Sequence, residues 1–113
     1  MADPVERLES LRSAARERIA ALRRELDDVI DSASSTTGDD EHDPEGATIG
    51  FERAQAQALL DQATAQLADV EAALDRAGAG TYGSCVTCGG PIGKERLAAR
   101  PAADRCIACA RLG

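Results

Sequence analysis

The segment Thr81-Tyr82-Gly83-Ser84-Cys85-Val86-Thr87-Cys88, read together with Cys106-Ile107-Ala108-Cys109, holds every cysteine of the chain and decides the fold. Each part carries a C-x2-C pair, and seventeen residues separate the pairs, a spacing that four-cysteine zinc sites use. A C-x2-C turn sets two sulfurs along one edge of a tetrahedron, so two such turns fill the coordination sphere of one zinc ion. Gly89 and Gly90 follow the first pair, where a backbone wrapping a metal needs unusual dihedral angles. Four thiolates leave no position open for water, so Cys85, Cys88, Cys106 and Cys109 are expected to hold one structural Zn²⁺ rather than a catalytic one.

Two other uses of four cysteines fit less well. Disulfide scaffolds belong mostly to small secreted domains, and the chain opens Met1-Ala2-Asp3-Pro4 without a charged n-region or an apolar h-region. A thioredoxin-type dithiol sits in a βαβ context, which the sequence does not offer. A cytoplasmic protein is the expectation, and no run approaches a membrane span.

Outward from the cysteines, 113 residues include one Phe, one Tyr and no Trp, too little bulk for an ordinary globular core. Abundant Ala and Leu among many charges is the composition of long helices, so an elongated molecule is expected. The net charge of −7 is uneven: from Ala79 onward five basic residues face two acidic ones, giving about +3 and leaving about −10 for the remainder. So acidic a body argues against a free-standing DNA binder and favours a protein partner.

Asp3 and Pro4 form a helix start, with Pro at the first helical position. Val5, Arg12, Ile19 and Leu26 then occupy one heptad position and Leu8, Ala15, Leu22 and Val29 the other. A second stretch repeats in the same way, with Ala56, Ala63, Val70 and Ala77 in one register and Leu60, Leu67 and Leu74 in the other, before Gly78 and Gly80. Two helices of similar length, each with one narrow apolar stripe, most economically fold back on each other as a monomeric hairpin. The expected fold is therefore all-α: an antiparallel coiled-coil hairpin over residues 1–78, with helices 4–31 and 51–77 and a tip loop 32–50, then a four-cysteine finger over 79–113. The loop has no Lys or Arg and clusters Asp39, Asp40, Glu41, Asp43 and Glu45. His42 lies among them as a loop residue. In the finger, Ile92, Leu97 and Ile107 are expected to form a small apolar cluster.

The segment Gly80-Thr81-Tyr82-Gly83-x-Cys85-x-x-Cys88-Gly89, with Ile92-Gly93, Arg96-Leu97-x-Ala99-x-Pro101 and Cys106-Ile107-x-Cys109, resembles the zinc finger of the DksA/TraR family of bacterial transcription regulators. The acidic-tipped hairpin resembles that family too. The resemblance implies a protein that is not an enzyme and that binds bacterial RNA polymerase without reading a promoter sequence. Its coiled coil would enter the secondary channel and bring an acidic tip to the active centre, where it alters promoter complexes. The family's tip motif D-x-x-D-x-A maps onto Asp40 and Asp43. Glu45 stands in the place of the alanine, and Ala47 is the nearest one. Arg96 and Arg100 lie in the matching motif and are implied as contacts for polymerase or nucleotide. Guanosine tetraphosphate is the family's frequent co-effector, but the basic residues of responsive relatives correspond here to Asp69 and Ala110, with Arg100 retained. The alternative is a zinc-stabilised coiled-coil interaction module for a different protein partner.

Overall fold

The computed structural model describes residues 3–35 and 44–113, with side chains for 3–32 and 48–113. It contains α1 (Pro4–Ser35), α2 (Pro44–Ala79), α3 (Lys94–Ala99) and α4 (Ile107–Arg111), and among the described residues no strand. The fold is a helical coiled-coil hairpin followed by a four-cysteine finger, as the sequence implies. No helix among the described residues is long and apolar enough to cross a membrane.

The seam follows the heptads. Leu8, Ile19 and Leu22 are buried, and Val5, Arg12, Ala15, Leu26 and Val29 are half-buried, while the outer-face residues Glu6, Arg7, Glu17, Arg18, Arg23, Arg24 and Glu25 are exposed. On α2, Ala56, Ala63 and Val70 are buried and Leu60, Leu67, Leu74 and Ala77 half-buried. Fully burying a leucine such as Leu8 stabilises by roughly 1.5–3 kcal/mol. Along an alanine-rich seam such contributions come from few side chains.

The helix ends differ from the expectation. α1 continues four residues past residue 31, because serine and alanine cost a helix little. α2 begins at Pro44 instead of residue 51, since proline at the first helical position has a preset φ and no amide that needs a partner. Ala47, expected in the loop, therefore lies in α2. Asp40 and Asp43 lie outside the described residues.

At its other end α2 runs to Ala79, two residues past the expected limit, and Gly80 closes it. With φ +79°, Gly80 donates its amide to Ala77 O at 3.3 Å, and Thr81 N donates to Arg76 O at 2.9 Å. This pair of bonds is a Schellman closure that needs a left-handed residue at Gly80.

The chain packs as two compact units, one of residues 1–14 with 66–113 and the other of residues 15–65. Packing thus divides the molecule elsewhere than at the secondary-structure boundary near residue 78. In the first unit Leu8, Val70 and Ala73 form a buried cluster with Leu74, Tyr82 and Ala102 packed against it. Ala73 lies off the heptad seam yet is wholly buried. In the second unit, Glu25, Asp28 and Val29 of α1 line one groove with Glu52, Gln55, Ala56 and Leu59 of α2, the pairing of antiparallel neighbours.

Candidate metal centre

The first knuckle is built by backbone geometry. Cys85 N donates to Gly90 O at 2.7 Å, Gly89 N to Cys85 O at 2.9 Å, and Ile92 N to Gly83 O at 2.8 Å, around a bridge between Ser84 and Pro91. Gly89, at φ +75°, makes the turn that an L side chain would strain. The second knuckle repeats the pattern, since Ala110 N donates to Cys106 O at 2.9 Å as α4 begins and carries Cys109 inward. Val86 N donates to Asp104 O at 2.9 Å and links the two knuckles.

The result brings together Cys85, Cys88, Cys106 and Cys109, whose sulfurs all lie within 4.8 Å of one another. Zinc–sulfur bonds of 2.3 Å in a tetrahedron require sulfurs about 3.8 Å apart, and Cys88 Sγ lies 3.9 Å from Cys106 Sγ. The donor set therefore fits one Zn²⁺ with no ligand position left over. Gly90 N donates to Cys88 Sγ at 3.4 Å, a backbone dipole that favours a thiolate.

The thiols are already unequal without a metal. Backbone amides at Cys88, then Cys106, lower the Cys85 thiol to about 6, whereas side-chain hydrogen bonds from Cys106 and Cys85 push Cys109 up to about 12. A metal competes with protons for these sulfurs, so its hold weakens in acid.

The finger is fastened within its unit by side chains that reach backbone carbonyls. Arg7 Nη2 donates to Ala98 O at 2.7 Å, Tyr82 Oη to Pro101 O at 2.9 Å, and Arg76 Nη2 to Ala102 O at 3.4 Å. Burial raises the Tyr82 phenol above its usual pKa, and the nearby Arg7 and Arg76 charges oppose that shift. Neither arginine carries a sequence signal for this role. Tyr82 lies in the quoted motif, which could have drawn attention to it.

Arg96 and Arg100 share one cavity of about 240 Å³ with Asp69, Arg76, Ala102 and Asp104. Arg96 Nε donates to Arg105 O at 2.6 Å, so part of its guanidinium holds the finger together. Ala110 does not line this cavity. Of the expected apolar cluster, Ile92 is buried and Leu97 half-buried, but Ile107 is 49% exposed, because α4 turns that position outward after Cys106.

Residues 80–112 match the family model of the prokaryotic dksA/traR C4-type zinc finger. No curated protein matches the chain. Among solved structures the chain is similar in fold to the transcription factor DksA2 from Pseudomonas aeruginosa, at 24% identity and a TM-score of 0.57, covering 93% of this chain and 81% of that one.

Proposed function

We propose, from the DksA/TraR-type zinc finger at residues 80–112, that the chain is a transcription regulator that binds bacterial RNA polymerase through its secondary channel. The finger match is the observation that carries this reading, and the fold likeness to DksA2 supports it. On this reading the protein acts by binding and catalyses no reaction. The hairpin enters the channel, and Asp40 and Asp43, with Ala47 beside them, approach the active centre. There carboxylates meet basic side chains or a bound Mg²⁺ and change the lifetime of promoter open complexes. Arg96 and Arg100 serve as contacts at the finger end.

Guanosine tetraphosphate would enter at the cavity shared by Asp69, Arg96 and Arg100. Asp69 sets a carboxylate where responsive relatives carry a base, which opposes a polyphosphate, so the chain is expected to act without the nucleotide.

The test is co-purification with core RNA polymerase, followed by initiation from purified polymerase with and without the protein. Asp40→Asn combined with Asp43→Asn, which removes two charges at nearly unchanged side-chain size, is expected to leave polymerase affinity within about threefold, while abolishing the change in open-complex lifetime. A double variant that folds, binds and regulates like the parent would remove the tip from the mechanism. Failure to co-purify would leave a zinc-stabilised module for another protein partner.

A further inference from the structure

Phe51 is the single phenylalanine of the chain and is 80% exposed, on the outer side of α2 away from the heptad seam. Beside it, Val29, Ala56 and Leu59 form the apolar floor of a groove of about 390 Å³, edged by Glu25, Asp28 and Glu52. A second concavity, lined by Thr48 and Phe51, shares Glu52 and Gln55 with this groove, so these two polar side chains stand between the aromatic ring and the apolar floor. All of these residues belong to the unit of residues 15–65. An apolar floor with an exposed aromatic beside it is a surface that gains by being covered.

Charge selects what covers it. Among the described residues 25–32 and 48–61 there are six carboxylates (Glu25, Asp27, Asp28, Asp31, Glu52, Asp61) against one base, Arg53, a difference of five. Such a field repels nucleic acid and anionic lipid and attracts cationic protein. A groove between two helices takes a third helix by its apolar face, and the acidic edges match lysines or arginines flanking that face.

We propose that this groove is the docking site for a basic amphipathic helix of the protein partner, with Phe51 covered in the complex. The identity of that partner as polymerase rests on the function proposed above; the chemistry of the helix rests on the groove alone. The seven residues that line the groove are few beside the roughly 20–30 that each side of a stable interface contributes, so it acts as one anchor among several contacts.

Two measurements on the full-length, zinc-loaded protein test this. The first titrates a 14-residue Leu/Lys amphipathic helix, and its Leu/Glu counterpart, into isotope-labelled protein. Backbone resonances of residues 25–29 and 51–59 are expected to shift with the Lys helix alone. Phe51→Ala should weaken binding about fivefold and Asp28→Lys about tenfold, whereas Asp27→Lys, the same charge change outside the groove lining, should change it less than about twofold. Equal losses for Asp27→Lys and Asp28→Lys, with none for Phe51→Ala, would show diffuse charge attraction and overturn the proposal. So would shifts confined to residues elsewhere, or self-association of the protein through this face. The second measurement places a photo-crosslinking benzoylphenylalanine at position 51, and at position 18 as control, with purified core RNA polymerase. Cross-linking from 51 but not 18 identifies polymerase as the source of the helix. A groove that binds the Lys helix while polymerase does not bind at all keeps the docking site and removes the polymerase reading. Polymerase that binds equally well after Phe51→Ala and Asp28→Lys removes the groove from that complex.

Discussion

The hairpin and the finger solve the same problem in different ways. Both belong to a chain with almost no aromatic bulk, yet the hairpin is held by a repeated apolar seam, with Leu8, Ile19, Leu22, Ala56, Ala63 and Val70 buried along it. In the finger only Cys85 and Ile92 are buried, and its two helices, of six and five residues, contain no buried side chain. Helices so short do not persist alone. Four sulfurs must supply there what many side chains supply in the hairpin. The lesson is that the two regions should fail under different insults.

Removal of the metal gives the widest separation. Stripping zinc with a chelator under reducing conditions should unfold residues 81–112, since a structural site contributes on the order of 10–16 kcal/mol in finger peptides. Most of the helical circular dichroism should remain. Simultaneous loss of the helical signal would show that the hairpin is not separately held, and the comparison would break. Acidification should release the metal as well, because protons then outcompete zinc for the thiolates.

A seam substitution reverses the pattern. Leu22→Asp places a charge at a position 7% exposed, and the expected loss is roughly 3–5 kcal/mol, seen as a lower melting temperature with zinc still bound. Arg18→Asp, on an exposed face, should shift stability by less than about 0.5 kcal/mol. Equal melting temperatures for the two variants would mean that the heptad seam does not hold the helices.

Tyr82 tests whether the regions communicate inside their unit, because it packs against the Leu8, Val70 and Ala73 cluster while its hydroxyl is bonded within the finger. Tyr82→Phe leaves Pro101 O without its donor and should cost about 1–2 kcal/mol. The Tyr82 pKa is raised in the folded protein, so its contribution is fully present below the unfolded value of 10.0 and is lost as pH rises through the folded one. The parent should therefore lose stability on the alkaline side more steeply than Tyr82→Phe, measured by denaturant unfolding across that range. Parallel profiles would remove Tyr82 from the link.

The smallest effect is expected at the joint itself. Gly80→Ala meets no atom within 4 Å but must hold φ +79°, so it should cost about 1 kcal/mol through backbone strain alone. Unchanged unfolding would mean that α2 can end without this closure.

Much of this was legible because it is periodic or spaced. The seam from Val5 to Val29 repeats every three and four residues, and a C-x2-C pair announces its geometry within four. Helix ends were less legible: Pro44 reads equally as a loop residue or as a helix start, and Ser32 to Ser35 has no strong preference. What escaped altogether depends on partners distant in sequence. Ala73 is off the seam and carries no mark of its burial, while Arg7 and Arg76 look like any solvated arginine until Ala98 O and Ala102 O come within reach.

The bond from Arg7 to Ala98 joins residues ninety-one apart, and Leu8 packs beside it against Val70 and Ala73. Closing so long a loop is slow relative to helix formation, because its entropy must be spent before the contact rewards it. During synthesis the first turns of α1 therefore emerge early and wait, with Leu8 uncovered, until the far half of α2 leaves the ribosome. In the finished protein the same wiring makes the first turns of α1 open with the last turns of α2. Slow amide exchange at Leu8 would then report on the integrity of a region translated some sixty residues later.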